Sequence, residues 1–281
     1  MDTKNFIYNF VDTVLNDFKN NSWCDLNFDL NTASYDMVVN QQGYLLKYFA
    51  AYFCDYYQGY AEFFKKFKGS ELNVISIGCG AGIDYYALNR VIADENYDIS
   101  VNYLGIDIID WEYKPDFEFK NQGIDDISAI DVKNVDLIVF PKSLTELNTE
   151  SLKNFANLIC RECDSKNIFF LNSYITNNPQ NNYCVDGINK FEVIAKILLD
   201  SEFNTTDKPH FYTYFTNQND WLGRHFPFFE IPDGVRLLTE KLKSKCQEHD
   251  TTQPDCQECG VGFIPIFRSN YIAYNVVEFH R

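Results

Sequence analysis

One segment constrains this chain more than any other: Val74-Ile75-Ser76-Ile77-Gly78-Cys79-Gly80-Ala81-Gly82. A β-branched run leads into three glycines at alternate positions, and residues 83–92 then take helical spacing. Glycine accepts left-handed backbone and lets another group approach the main chain closely. The helix that follows presents N–H groups with no partner of their own. A strand, a glycine loop and a helix in this order open a βαβ crossover and predict a parallel sheet. The spacing is G-x-G-x-G. It departs from the dinucleotide fingerprint, because Ile83 stands where a third glycine would pack helix on strand. No Gly-Lys-Ser/Thr follows, which excludes a Walker-type phosphate loop.

The alternation continues down the chain. Residues 101–106 read as a second strand ending at Asp107, residues 118–130 as a weak strand and then a short helix, and 135–140 as a strongly apolar strand. Residues 149–163 place Leu152, Phe155, Ala156 and Ile159 on one helical face. A strand at 167–172, a helix at 189–200 and strands at 211–216 and 272–280 complete the pattern. Strands alternating with helices predict an α/β fold, a doubly wound, mostly parallel sheet with helices on both faces. Upstream, Phe6, Phe10, Val14 and Phe18 recur every four residues. Tyr44, Leu45, Tyr48, Phe49, Tyr52, Phe53, Tyr56, Tyr57 and Tyr60 mark a long aromatic helix. The expected organisation is a helical N-terminal cap over 1–70, a core over 71–216 and 271–281, and a late insertion over 217–270. That insertion is far longer than an ordinary connection.

The glycine loop, the acid Asp107 in Leu104-Gly105-Ile106-Asp107, and the strand Val135-Asp136-Leu137-Ile138-Val139-Phe140 together resemble class I S-adenosylmethionine-dependent methyltransferases. Their fold is a Rossmann-like sheet of seven strands. The resemblance implies that Ser76, Gly78, Cys79, Gly80, Gly82 and Asp84 surround the methionine end of the cofactor. It implies that Asp107 and Ile108 hold the ribose side, and that Asp125 or Asp126 meets the adenine amine. Phe140, Pro141, Lys142 and Ser143 would line the reacting end, with Lys142 toward the acceptor. Tyr44 and Tyr48 of the aromatic helix are candidates to roof the cofactor and bind the acceptor, against a reading as core packing. Many members carry an acid two residues before the first glycine. Here Ser76 stands there and an acid appears instead at Asp84, placed to reach the cofactor from the other side of the loop. Gly43-Tyr44-Leu45-Leu46-Lys47-Tyr48 and Ser143-Leu144-Thr145-Glu146-Leu147 are faintly similar to methyltransferase-like proteins of mitochondrial small-subunit ribosome assembly.

For chemistry, Phe140-Pro141-Lys142-Ser143 is not the Asp/Asn-Pro-Pro-aromatic motif of exocyclic-amine DNA methylation, and no Pro-Cys nucleophile is present. Glu146 is the nearest candidate base, against a reading as a solvated loop residue. His225, in the insertion, is suited to proton transfer near neutral pH, against a structural reading. Three functions follow: a methyltransferase acting on a small molecule or a protein; an RNA methyltransferase or ribosome assembly factor; and a methyltransferase-like binding protein without turnover.

Charge narrows the acceptor. With 24 basic and 40 acidic residues the formal net charge is −16. Nucleic-acid binders release counterions with a basic surface, so a polyanionic partner and an anionic membrane are both disfavoured. Apolar stretches fall short of the roughly 20 residues a spanning helix needs. The first ten residues lack a basic region followed by an apolar block, so no secretory leader is expected. The nine cysteines then read as reduced thiols in the cytoplasm. Oligomeric state is not legible.

Cys246-x-x-His249 and Cys256-x-x-Cys259 supply one complete tetrahedral shell, as structural zinc requires. An iron–sulfur cluster would favour four cysteines, and four reduced side chains in a surface loop are the plain alternative. Elemental analysis of the purified protein should find about one zinc per chain. Under roughly a tenth of an equivalent, with all four side chains open to alkylation, would make the cluster a loop only; iron and a brown colour would favour the cluster alternative. Cys160-x-x-Cys163 falls within the expected helix and reads as packing.

Overall fold

Runs of β-branched and aromatic residues alternate with amphipathic stretches in the sequence, and they do so as strands and helices in the computed structural model. The described residues are 3–18, 34–174, 183–211, 213–216, 252 and 271–281. They belong to two compact units, 1–54 with 222–269 and 55–221 with 270–281, so the division falls inside a helix.

In the first unit, α1 (Thr3–Phe18) buries Ile7, Val11, Val14 and Leu15. The Phe10 ring stacks on Phe49 of α2 (Val38–Lys66) at 3.8 Å, and Phe6 lies 5.6 Å from Phe53. The spacing of four residues makes this stripe.

In the second unit, α2 continues from Asp55. It leads to β1 (Glu71–Ile77), α3 (Ile83–Asp94), β2 (Ser100–Asp107), β3 (Glu118–Asn121), a 3-10 turn at Ile124–Asp126, and α4 (Ala129–Val132). There follow β4 (Leu137–Pro141), a second 3-10 turn at Leu144–Glu146, α5 (Thr149–Glu162), β5 (Asn167–Tyr174), α6 (Tyr183–Leu199), β6 (Thr213–Thr216) and β7 (Tyr271–His280). The seven strands form one sheet in the order β3-β2-β1-β4-β5-β7-β6. β1 pairs in parallel with both β2 and β4, while β7 runs antiparallel to β5 and β6. Between β1 and β4 the strand order reverses direction, and ligands of open α/β sheets bind outside the strand ends at such a point. The register sets Ile77 beside Ile106 and Ser76 beside Val139, so the glycine loop, Asp107 and the end of β4 share one edge.

Both faces of the sheet are covered, which is why β4 is buried at every residue. On one face Ile75, Ile77, Ile106, Ile138 and Phe170 pack against Leu152, Phe155 and Ile159 of α5 and Phe191, Ile194 and Leu198 of α6. Asn148 caps α5, its side chain accepting from the Ser151 N–H at 2.8 Å. On the other face Phe63 of α2 meets Phe169 edge-on at 5.2 Å, and a Cβ on Gly59 would lie 2.7 Å from Leu171.

Some boundaries differ from the sequence expectation. α6 begins at Tyr183, not at 189. Gly187 lies inside the helix, and its missing side chain admits the Tyr174 ring, 2.7 Å from where a Cβ would stand. The ambiguous stretch 118–130 resolves into β3, a 3-10 turn and α4, whose start is closed by a capping box between Ser128 and Asp131. Except for Thr252, the insertion 217–270 lies outside the described residues. Among the described residues no helix is long and apolar enough to cross a membrane.

Candidate functional site

Gly78, Gly80 and Gly82 carry φ of +70°, +55° and +69°, the left-handed conformation that disfavours any residue with a Cβ. Their N–H groups are used to fold the loop. Gly78 and Cys79 donate to the Ile106 carbonyl at 2.8 and 3.1 Å, and Gly82 donates to the Cys79 carbonyl at 2.9 Å. Gly80 donates to Asp107 Oδ2 at 2.8 Å. Packing adds a second demand. A Cβ on Gly78 would lie 2.5 Å from the Ser143 Cβ, and one on Gly82 would lie 2.6 Å from Phe117 and 3.0 Å from Pro115. Beside Gly80 the Trp111 ring leaves ordinary contact at 3.7 Å.

Asp107 closes β2. Its Oδ1 accepts from the Ile109 N–H at 2.9 Å, complementing the Gly80 bond on Oδ2. Burial pushes the carboxyl up from its ordinary value, while the Ile109 and Gly80 N–H groups and the Trp111 side chain pull it down. Next to it Ile108 is 72% exposed. A Cβ on Gly123 would lie 3.7 Å from Asp126 Oδ2 and 4.0 Å from Ile108 Cγ2, so an apolar surface and a carboxylate flank one spot. Asp125 is committed elsewhere: its Oδ2 accepts from the Ser151 hydroxyl.

Behind the loop, Asp84 in the first turn of α3 is fully buried. Its Oδ2 accepts from Tyr103 at 2.8 Å and from Tyr60 at 3.1 Å. Burial raises its carboxyl to about 6, against the opposing hydroxyls of Tyr103, Ser76 and Tyr60. Ser76 is itself fully buried on the same face of the sheet. Asp84 and Ser76 are thus both buried, and the Asp84 carboxylate is engaged by tyrosines of β2 and α2. The Cys79 thiol is buried, and burial with the charges of Asp107 and Asp84 pushes it well up, away from the reactive thiolate.

At the end of β4, the Phe140 ring is wholly buried and meets Phe155 edge-on at 6.3 Å, so it serves the core and only its backbone reaches the strand end. The Pro141 carbonyl accepts from Tyr56 at 3.2 Å. Lys142 is buried, with Nζ 2.8 Å from Asp55 Oδ2. The Ser143 hydroxyl donates to the Ile77 carbonyl. Glu146 stands on the second 3-10 turn, partly covered and partly open to solvent. Partial burial raises its carboxyl first, then the charge of Asp107, with Lys190 opposing. Lys190 Nζ donates to the Thr145 carbonyl at 2.6 Å.

The structure therefore gathers Ser76, Gly78, Cys79, Gly80, Gly82, Asp84, Asp107, Ile108, Asp125, Asp126, Pro141, Lys142, Ser143 and Glu146 around the ends of β1, β2 and β4. Tyr44 and Tyr48 belong to the other unit, where their rings lie 5.2 Å apart and Tyr48 stacks on Tyr52. His225 and the cluster Cys246, His249, Cys256 and Cys259 lie outside the described residues. Among the described residues no group of three or more His, Cys, Asp or Glu side chains is arranged to hold a metal ion. Sequence reasoning missed Asp55, Tyr60, Tyr103, Trp111 and Lys190. Asp55 left a trace, a lone acid inside an aromatic stripe.

No protein-family model matches the chain, and no curated protein matches its sequence. Among solved structures it is similar to a putative class I S-adenosylmethionine-dependent methyltransferase from Listeria monocytogenes, at 10% identity over 90% of this chain and 71% of that one, with a TM-score of 0.43. It is similar to the plantazolicin methyltransferase BpumL in complex with a monoazolic desmethylPZN analog and SAH, at 13% identity over 98% and 100%, with a TM-score of 0.41. A further similar structure is an S-adenosylmethionine-dependent methyltransferase from Clostridium acetobutylicum, at 12% identity over 42% of this chain, with a TM-score of 0.29; the chain spans 50% of its length. In its strand order and its glycine loop the chain resembles the class I S-adenosylmethionine-dependent methyltransferases.

Proposed function

We propose that the chain is an S-adenosylmethionine-dependent methyltransferase whose acceptor is a neutral or cationic small molecule, or a protein. The observation that carries this reading is Asp107, closing β2 and tied to the glycine loop through Gly80, beside an exposed Ile108 flanked by Asp126. A diol would donate to Asp107. An adenine would lie on Ile108 with its amine toward Asp126, since Asp125 is held by Ser151. When bound, S-adenosylmethionine supplies an electrophilic methyl on a cationic sulfonium. Asp84, Asp107, Asp126 and Glu146 make the surroundings negative, which suits that charge and opposes a phosphate backbone. The ends of β1, β2 and β4 would orient the reactants, and orientation is a large part of what an enzyme contributes to an in-line displacement. Glu146, with its carboxyl raised, is suited to take a proton from the acceptor.

One observation favours the binding protein without turnover: Ser143 and Phe117 already account for the glycines at 78 and 82. Calorimetry separates cofactor binding from turnover. The wild type should bind S-adenosylmethionine, and Asp107→Ala should weaken binding by about 1–3 kcal/mol, the range for a lost hydrogen bond to a charged group. No binding by the wild type, or tighter binding of a nicotinamide dinucleotide, would sink the cofactor reading. Binding without methyl transfer to any screened acceptor would favour the protein without turnover.

A further inference from the structure

Lys142 and Asn96 are the two non-glycine residues with positive φ among those described. Asparagine tolerates that conformation much better than lysine does. Such an outlier persists where its surroundings hold it, and here they are visible. The Lys142 N–H donates to the carbonyls of Phe140 at 2.9 Å and Ser173 at 3.1 Å. Its Nζ meets Asp55 Oδ2 at 2.8 Å and the Tyr174 carbonyl at 3.3 Å, with the paired side chains 8% and 0% exposed. One residue along α2, Tyr56 holds the Pro141 carbonyl. The turn delivers Ser143, whose hydroxyl bonds the Ile77 carbonyl and whose Cβ fills the space beside Gly78.

We propose that Asp55 is a positioning residue for the glycine loop, acting through the left-handed turn at Lys142 and through Ser143. Removing the carboxylate takes the Asp55 charge away from a buried ammonium, which is unfavourable. The lysine then turns to solvent, the backbone at 142 relaxes to negative φ, and Ser143 withdraws from Ile77 and Gly78. Glycine at 142 adopts φ of +65° freely and holds the turn with no ion pair. The pair therefore exists to force on a lysine a turn that glycine would take unaided.

Amide hydrogen exchange tests this without any ligand, because the N–H groups of Gly78, Cys79, Gly80 and Gly82 are all bonded. In Asp55→Asn the peptide covering 77–82 should exchange about tenfold faster, as expected when a local opening becomes easier. Peptides from α5 should be unchanged, and Asp55→Asn/Lys142→Gly should exchange like the wild type. Should Asp55→Asn alone not fold, two uncharged doubles decide the matter: Asp55→Asn/Lys142→Ala should exchange faster in the loop than Asp55→Asn/Lys142→Gly. Equal loop exchange in those doubles, an unchanged loop in Asp55→Asn, or equal acceleration in α5 would each overturn the proposal. Its functional side rests on the cofactor reading. S-adenosylmethionine affinity should fall about tenfold in Asp55→Asn and recover in the double with glycine. A wild type that does not bind the cofactor would end that reading, while the exchange result would still decide the coupling.

Discussion

Gly78→Ala should weaken S-adenosylmethionine binding at least roughly tenfold and lower the unfolding free energy by about 2 kcal/mol or more. Two effects add at this position. An L-residue at φ of +70° carries a left-handed penalty of about 1–2 kcal/mol. Its methyl would also lie 2.5 Å from the Ser143 Cβ, and Ser143 cannot give way while its hydroxyl bonds the Ile77 carbonyl. Gly82→Ala should behave similarly, against Phe117 and Pro115. Gly80→Ala has room beside Trp111 at 3.7 Å and should show the conformational penalty alone. Urea unfolding and calorimetry on the three variants check the ranking. Equal losses at all three would mean that the clash is irrelevant. Ser143→Gly, added to Gly78→Ala, should recover part of the lost stability, because it removes the colliding Cβ and leaves the left-handed penalty.

The fold was legible in the sequence wherever local pattern and tertiary role agree. The glycine loop reads as a turn because left-handed backbone leaves a residue-type signature. The run at 135–140 reads as a buried strand because both its faces are covered. Legibility fails where one residue is explained by a distant one. The helix expected at 189 begins at Tyr183, and it runs through Gly187, whose space Tyr174 fills. Phe140 looks like a lining residue because it ends a strand, yet its ring turns toward Phe155. The choice between Asp125 and Asp126 depends on Ser151, 26 residues from the one it holds. Asp55 and Lys142 are 87 residues apart, and no spacing rule joins them. Asp84 is the instructive case. The sequence shows a serine at 76 and an acid at 84, and only the fold reveals that both are buried and that Tyr103 of β2 and Tyr60 of α2 donate to the Asp84 carboxylate.

Asp84→Asn should make the protein more stable at neutral pH while leaving it nearly unchanged near pH 3.5. The folded state raises this carboxyl from 3.8 to about 6, chiefly by burial. The folded protein therefore holds the proton more tightly than the unfolded chain does. Stability falls as pH rises from about 4 to about 6, and above that the penalty is fully present. A shift of about two pK units corresponds to about 3 kcal/mol. Asparagine keeps an oxygen to accept from Tyr103 and Tyr60 and carries no charge to desolvate, so it stands in for the protonated acid. Asp107, Asp136 and Glu146 are also raised, but they are common to both proteins and cancel in the difference. Urea unfolding at pH 3.5 and pH 7.5 should show the two proteins converging at the lower pH and the variant ahead by about 3 kcal/mol at the higher. A carboxylate that weakens the fold at neutral pH while standing behind the loop is consistent with a site that must attract a cation. The same variant should accordingly lose more affinity for the cationic S-adenosylmethionine than for its neutral-sulfur product S-adenosylhomocysteine. Parallel pH profiles for the two proteins would show that Asp84 titrates as an ordinary carboxyl, and would remove this account of why the acid lies at 84.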